Sequence, residues 1–394
     1  MTSSNPPQTG FEAQLGVFKR GAATFLGPEE LKAKLALGRP LRIKLGVDPT
    51  SPELHLGHSV VLTKLRALQD LGHQAVLIIG DFTARIGDPS GRDSTRPPLS
   101  QEQIAKNAET YGEQAFKILI RDKTELRRNS EWLGDFLKTG LLETLKTLTA
   151  QQILAREDFK ERLKTNAPLT LLEMLYPVFQ AYDSIAVKAD VELGGNDQLT
   201  NLLMGRRLME GAGLKPQLVL TTPLLVGTDV VQKMSKSYGN MVALTDVPEE
   251  MFGKIMRVSD DLMMAYYEAL TDAPLEPVRK LHPLEAKKGL AETIVARYHG
   301  PDAAKAARER FERVFSERKA PEDAAKMAVP PGLSLSEIIV RAGAAKSKNE
   351  ARRLITQDAV RLDGAKVSQD VPLAERGSFL VQVGRRRFVR VDVG

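Results

Sequence analysis

The chain contains no cysteine. Disulfides and thiolate zinc sites are therefore excluded. It has no run of about 18 or more apolar residues, so no membrane span is expected. The opening Met-Thr-Ser-Ser-Asn-Pro-Pro-Gln lacks a basic n-region and an apolar h-region, and no secretory signal is expected from it. These absences fit a cytoplasmic protein. What is present, 42% hydrophobic and 27% charged residues, is ordinary for a soluble globular protein. A length of 394 residues allows a full core and two or three domains.

Charge is not in large excess either, but it is unevenly placed. Of the net +6, residues 333–394 carry +5, from 12 Lys and Arg against 7 Asp and Glu. A nearly neutral body with a small basic tail fits a polyanionic partner at the tail. Charge alone fits a solvated small domain equally well.

The chain is organised around His55-Leu-Gly-His58. Before it, Leu41 to Val47 reads as a strand. After it, Val61, Leu62, Leu65, Leu68 and Leu71 recur at helical spacing, with Gly72 as the C-cap. Ala75-Val-Leu-Ile-Ile79 then reads as a buried parallel strand. The motif is thus expected at the first turn of the helix in a β-loop-α-β unit. Backbone N–H groups and the helix dipole favour anions there. Two imidazoles at i and i+3 add donors on one face. Gly57 lets a flat ligand approach the backbone. This suits stabilisation of charge on a phosphate in flight, with no covalent intermediate. Taken alone, two histidines in a loop are more often surface residues.

Further along, Phe11 to Leu37 has a helical pattern. Gly80 to Gly91 is a loop dense in Gly and Asp that follows the carboxyl end of a parallel strand, where open α/β sheets bind ligands. Asp88 there is a candidate contact for a cationic group, or a turn residue beside Pro89. Ser100 with Gln103 reads as a capping box. Its helix is expected to pack or to supply a dimer surface. Residues 120–165 read as mainly helical and charged, with no functional signal. Tyr176, Gln180 and Asp183, at i, i+4 and i+7, share one helix face that either meets solvent or lines a pocket. Asp190 to Gln198 gives a strand, a glycine pair and polar groups at the mouth of a helix. Gly194 and Gly195 allow close backbone approach, and Asp197 can accept from ribose hydroxyls. Leu218 to Val226 is a strand, followed by Lys233-Met-Ser-Lys-Ser237, whose two lysines can bind nucleotide phosphates as mobile point charges. Residues 248–318 are helical. Residues 319–332 are rich in Pro and Ala and read as a linker. Beyond them come two short helices, the second capped by Ser347, and three strands. Lys346, Lys348, Arg352 and Arg353 lie at or along the second helix.

Together these stretches resemble the bacterial tyrosyl-tRNA synthetase family, in its longer branch, from about residue 11 to the end. The likeness rests on His55-Leu-Gly-His58 with Lys233-Met-Ser-Lys-Ser237, on Ile86-Gly-Asp-Pro-Ser-Gly91, on Tyr176-x3-Gln180-x2-Asp183, on Gly194-Gly-Asn-Asp-Gln198 and on a tail similar to the S4 RNA-binding domain. The resemblance implies an α/β fold: a Rossmann-like parallel-sheet catalytic domain over 1–245 with a helical insertion at roughly 92–165, a helical anticodon-binding-type domain over 246–318, the linker, and a small α+β S4-like domain over 333–394.

It also implies a reaction. Tyrosine and ATP with Mg²⁺ form tyrosyl-adenylate, and tyrosine then passes to the 3′ end of tRNA on a homodimer, with tRNA spanning both subunits and no zinc. On matching positions, Thr50, His55 and His58 would contact ATP, and Lys233 and Lys236 would clamp pyrophosphate. Gly46, Asp48, Gly57, Gly194, Asp197, Met234, Ser235 and Ser237 complete the implied ATP site. Asp88, Tyr176 and Gln180 would hold the amino group of tyrosine, where a carboxylate meets an ammonium. Asp183 would accept the phenolic proton, and Gln198 would hold the carboxylate region. Lys346, Lys348, Arg352 and Arg353 would meet RNA phosphates.

One departure stands out. The better-known branch has a tyrosine four residues before Asp-Pro-Thr, and this chain has Lys44. A lysine there could keep Asp183 ionised or reach the phenol itself. Among rival readings, a tryptophanyl enzyme gives no reason for Asp183. A nucleotidylyltransferase lacks the helical domain and tail. A non-catalytic RNA-binding relic would have no need of both motifs.

Overall fold

The computed structural model describes residues 10–90, 99–229, 233–234, 239–313, 324–384 and 387–394. Its contacts divide the chain into two units, one running to Ile294 and the other Val295–Gly394.

The first unit is built on a six-stranded sheet. Its strands are β1 (Thr24–Leu26), β2 (Arg42–Val47), β3 (Gln74–Ile79), β4 (Thr124–Arg128), β5 (Val191–Gly195) and β6 (Leu218–Thr222), in the order β1-β6-β5-β2-β3-β4. All neighbours are parallel except β1, which runs antiparallel to β6. Strands β3 and β6 are buried along nearly their whole length because helices cover them: Val76, Leu77, Ile78 and Val219 are all inside. From β2 the chain winds outward through β3 to β4, then returns to β5 beside β2 and continues to β6. The gap between the carboxyl ends of β2 and β5 is thus a topological switch point, where such sheets bind ligands.

Two strands escaped the sequence pattern. The helical reading of residues 11–37 is interrupted by β1, and that of residues 120–165 by β4. β1 is three residues long and gains its hydrogen bonds from β6, nearly 200 residues away. Thr-Glu-Leu-Arg-Arg of β4 is charged because it is an edge strand, where charge blocks further pairing. The expected strand over 218–226 ends at Thr222, before Pro223, which has no N–H for a ladder. Helices follow from Pro248, with no strand among the described residues up to 313.

The second unit includes the helix Pro301–Phe311 and, further on, a five-stranded sheet packed with the helices Leu335–Arg341 and Lys348–Thr356 around a core of Ile338, Ile339, Ile355, Val381 and Val391. The linker reading of residues 319–332 is corrected in part: Ala325–Val329 is a strand, parallel to Arg387–Val393 at the sheet edge. Ala-Lys-Met-Ala-Val has one β-branched residue and little strand propensity of its own. A partner some sixty residues downstream supplies its order.

Candidate active site

Two sizeable cavities open on the first unit. One, of about 490 Å³, sits by the amino ends of β2 and β5 beside Lys34, Asp190 and Arg206. The other, of about 410 Å³, sits at the switch point, at the carboxyl ends of β2, β3 and β5. Size does not choose between them, but convergence of polar groups does. The second is lined by Thr50, His55, His58, Asp88, Tyr176, Gln180, Asp183, Asp197, Gln198 and Lys233, together with Gly46, Asp48, Gly57, Gly194 and Met234.

His55 is the N-cap of the helix Leu56–Asp70. Its Nδ1 accepts from the Gly57 N–H at 3.1 Å, and the His55 N–H donates to Nδ1 of His58 at 3.2 Å. Both imidazoles thus spend Nδ1 as an acceptor, which leaves the proton of each on Nε2. Burial pushes His55 down to about 2 and His58 down to about 4. Both are therefore neutral donors near pH 7, not cations. A Cβ on Gly57 would lie 2.9 Å from the His55 ring, so glycine is what lets this ring fold back over the first turn.

The lysine loop meets this turn from outside. The N–H of Leu56 donates to Val242 O, and that of Leu244 to Leu54 O, so the chain leaving the loop pairs with the chain entering the histidine motif. Met234 is buried and lies 3.7 Å from where a Gly57 Cβ would be. Lys233 Nζ pairs with Asp197 Oδ2 at 3.0 Å. Ser235, Lys236 and Ser237 lie outside the described residues.

The opposite wall is acidic. Asp88 accepts from Gln198 Nε2 at 2.7 Å and from the Ser90 N–H at 2.9 Å. Asn201 Nδ2 donates to Gln198 Oε1 at 2.9 Å and Gln180 Oε1 at 3.0 Å. Asp48 accepts from Thr83 Oγ1 at 2.7 Å and Tyr176 OH at 2.9 Å. Burial pushes Asp48 up to about 7, with Asp88 and Asp183 adding to the rise. Three carboxylates around one cavity make a site for a cation. The helix Leu171–Ala186 carries Tyr176, Gln180 and Asp183 on its inner face. Of the two readings left open for that face, the cavity is the one the structure supports, and the face does not meet bulk solvent.

Asp183 lies at the floor. Its Oδ1 accepts from Trp132 Nε1 at 2.8 Å and its Oδ2 from Asn129 Nδ2 at 3.3 Å. Burial raises it to about 6. Lys44 is not on the cavity wall, which corrects the expectation that it could reach the phenol. Its side chain is 1% exposed, and its Nζ donates to Glu192 Oε1 at 2.7 Å, Gln180 O at 2.8 Å and Ser184 Oγ at 2.9 Å. All three ammonium protons are used.

Sequence reasoning missed Thr83, Asn129, Trp132, Arg156 and Asn201. Asn129 and Trp132 follow β4, and with β4 unread nothing placed them near β3. Arg156 reaches in from the insertion to Ser90 Oγ and Asn201 Oδ1. In the second unit, Lys346, Lys348, Arg352 and Arg353 are exposed. Lys348 pairs with Glu337 at 2.6 Å and Arg352 with Asp370 at 3.1 Å.

The family described as tRNA synthetases class I (W and Y) matches residues 36–316, and the S4 domain matches residues 334–373. A tyrosine–tRNA ligase of Aquifex aeolicus is 49% identical over 389 residues, covering 97% of this chain and 99% of the relative. One from Thermotoga maritima is 45% identical over 394 residues, covering 97% and 98%. The solved tyrosyl-tRNA synthetase of Archaeoglobus fulgidus, complexed with L-tyrosine, superposes with a TM-score of 0.63 over 76% of this chain and all of that one. At 23% identity that likeness is one of fold. On the matched span, and on identity over nearly the full length, the chain belongs to the class I tRNA synthetases of the W and Y group, among the tyrosine–tRNA ligases.

Proposed function

We propose that the switch-point cavity performs both steps of the family's reaction. In the first, a carboxylate oxygen of tyrosine bonds to the α-phosphorus of ATP as the bond to pyrophosphate breaks. In the second, the adenylate yields its tyrosyl group to the 3′ end of tRNA and AMP leaves. The observation that carries this reading is the pairing of neutral Nε2–H donors from His55 and His58 on one wall with the carboxylates Asp88 and Asp183 on the other. Donors of this kind, preorganised by the backbone, stabilise charge on a phosphate without reorganising.

Asp88, Tyr176 and Gln180 hold the ammonium, and Gln198, bonded to Asp88, orients the carboxylate end. Asp183 takes the phenolic proton in a hydrogen bond. Thr50 and the two histidines contact the phosphates, while Asp197 and the backbone at Gly46, Gly57 and Gly194 receive the ribose and base. ATP enters as its Mg²⁺ complex, with the metal carried on the phosphates. Lys233 leaves Asp197 to join Lys236 on the pyrophosphate as ATP arrives.

The chain acts in the cytoplasm as a homodimer. What supports the dimer is the set of exposed leucines in and after the insertion, Leu142, Leu163, Leu171 and Leu172, with Leu171 79% exposed. The basic face of the Lys348–Thr356 helix binds tRNA phosphates.

The test is tyrosine-dependent ATP–pyrophosphate exchange. His58→Ala and Lys236→Ala should each slow it by roughly 10²–10³-fold, the scale for one lost transition-state donor, with tyrosine affinity little changed. Wild-type rates in both variants would remove the assignment.

A further inference from the structure

Beneath the cavity floor lies a charged cluster that neither reaction step uses. Lys44 of β2 and Glu192 of β5 face each other in register across neighbouring parallel strands, each 1% exposed. Glu192 spends Oε1 on Lys44. Its Oε2 accepts from Ser184 Oγ at 2.8 Å and from Gln217 Nε2 at 2.6 Å. Gln217 Nε2 also donates to Leu202 O at 3.1 Å. The cluster closes against Gly205, where a Cβ would lie 2.5 Å from Gln217 Nε2 and 2.9 Å from Glu192 Oε2. It thus joins two strands and two helices below the site.

Such a pair is expensive to bury, and an apolar pair of similar volume would serve stability as well or better. Its placement offers another reason. Lys44 grips the carbonyl of Gln180 and the hydroxyl of Ser184, which bracket Asp183 on the same helix turn. Two side chains of that turn, Gln180 and Asp183, line the cavity.

We propose that Lys44 is a positioning residue that sets selectivity for a phenolic over a plain aromatic amino acid from below the floor, by anchoring the Gln180–Ser184 turn and by setting a positive charge opposite Asp183. This rests on the reading of Asp183 as the phenol's acceptor. The charged and titratable groups around Asp183 are Lys44 on β2, Glu192 on β5, Asp48 after β2, and Tyr176 on its own helix. Trp132 and Asn129 add neutral donors. Against burial, the charge of Lys44 is the largest influence that favours ionised Asp183, while Glu192 opposes it. Removing Lys44 and removing the charge of Glu192 must therefore move Asp183 in opposite directions.

The experiment measures kcat and KM for tyrosine and phenylalanine in pyrophosphate exchange, from pH 5 to 8.5. It compares the wild type, Glu192→Gln, Lys44→Met/Glu192→Gln and Asp183→Ala. Lys44→Met alone would strand a buried carboxylate, so the double variant is used, with thermal melting to show that it folds. In the double variant KM for tyrosine should rise about tenfold with kcat little changed, and the tyrosine-to-phenylalanine ratio of kcat/KM should fall about tenfold. Against Glu192→Gln, from which the double variant differs only at Lys44, the acid limb of 1/KM should lie about one pH unit higher. In Glu192→Gln, which keeps the ammonium, that limb should move down. If the double variant melts normally and its ratio and pH profile match those of Glu192→Gln, or if Glu192→Gln shifts the limb upward, Lys44 is structural only and the proposal falls. If Asp183→Ala itself keeps the wild-type ratio, it is the reading of the floor that falls, and the proposal with it.

Discussion

The two histidines show why residue type alone undersells a site. Imidazoles near phosphates are commonly pictured as cations. Here each has given Nδ1 to a backbone N–H, and burial keeps both neutral. They act as fixed dipoles, so exchange kcat should show no histidine ionisation between pH 6 and 8. A kcat profile that His58→Gln flattens would contradict this. The carboxylates behave in the opposite sense. Burial raises Asp48 to about 7 and Asp183 to about 6, so both take up protons as pH falls through 7 to 5. The acid limb should therefore appear in KM for tyrosine and not in kcat. The histidine motif was legible because its chemistry is local: a cap, a glycine and a helix start within four residues. The neutrality of the rings was not legible, because it depends on burial by segments far along the chain.

At the scale of elements, the site depends on close packing where strands end. Gly80 follows β3, and a Cβ there would lie 2.0 Å from Asp48 Oδ1 and 2.4 Å from Thr83 Oγ1. Gly80→Ala must push Asp48 off its bonds to Thr83 and Tyr176. We expect a loss of about 1–3 kcal/mol in stability and weaker tyrosine binding, read by denaturant midpoint and KM. An unchanged KM would mean that Asp48 does not set the position of Tyr176. Strands β2, β3, β5 and β6 could be read from sequence because each carries its own apolar residues next to a loop or glycine signal. β1, β4 and Ala325–Val329 could not, since each is short or polar and is ordered by a distant partner. Missing β4 also hid Asn129 and Trp132, which hold Asp183 from the far side. Lys44 stood out in the sequence as a departure. Its partner Glu192 did not, because adjacency between β2 and β5 is a fact of topology.

At the scale of the molecule, the strand at 325–329 sets where the tail can be cut. Removing residues 324–394 should leave pyrophosphate exchange intact and impair tRNA charging, and the deficit against the full chain should narrow as salt rises, because the lost phosphate contacts are ones that release counterions. Normal charging at physiological salt would show that the S4 region does not bind tRNA. Stability should also depend on pH in a defined direction. His55, His58 and His73 are held neutral by burial at about 2, 4 and 4, so the unfolded chain binds more protons than the native one once pH falls below about 6.5. Their contribution is complete above that pH and is lost on acidification. Asp48 and Asp183, raised by burial, work against this below about 7. Three groups against two leave a net loss of about 1.4 kcal/mol per pH unit between pH 6 and 4. Urea midpoints at pH 7.5, 6 and 5 check the sign, and a midpoint that rises on acidification would contradict it.

The central claim is that one cavity joins tyrosine to ATP and recognises tyrosine by Asp183. The most direct measurement is ATP–pyrophosphate exchange with each of the twenty amino acids, in the wild type and in Asp183→Ala. The account predicts exchange with tyrosine alone in the wild type. In the variant, the tyrosine-to-phenylalanine ratio should drop by roughly 10–100-fold or more, the scale of a charged hydrogen bond of about 1.5–3 kcal/mol. Exchange driven by tryptophan, or a wild-type ratio in Asp183→Ala, would contradict it.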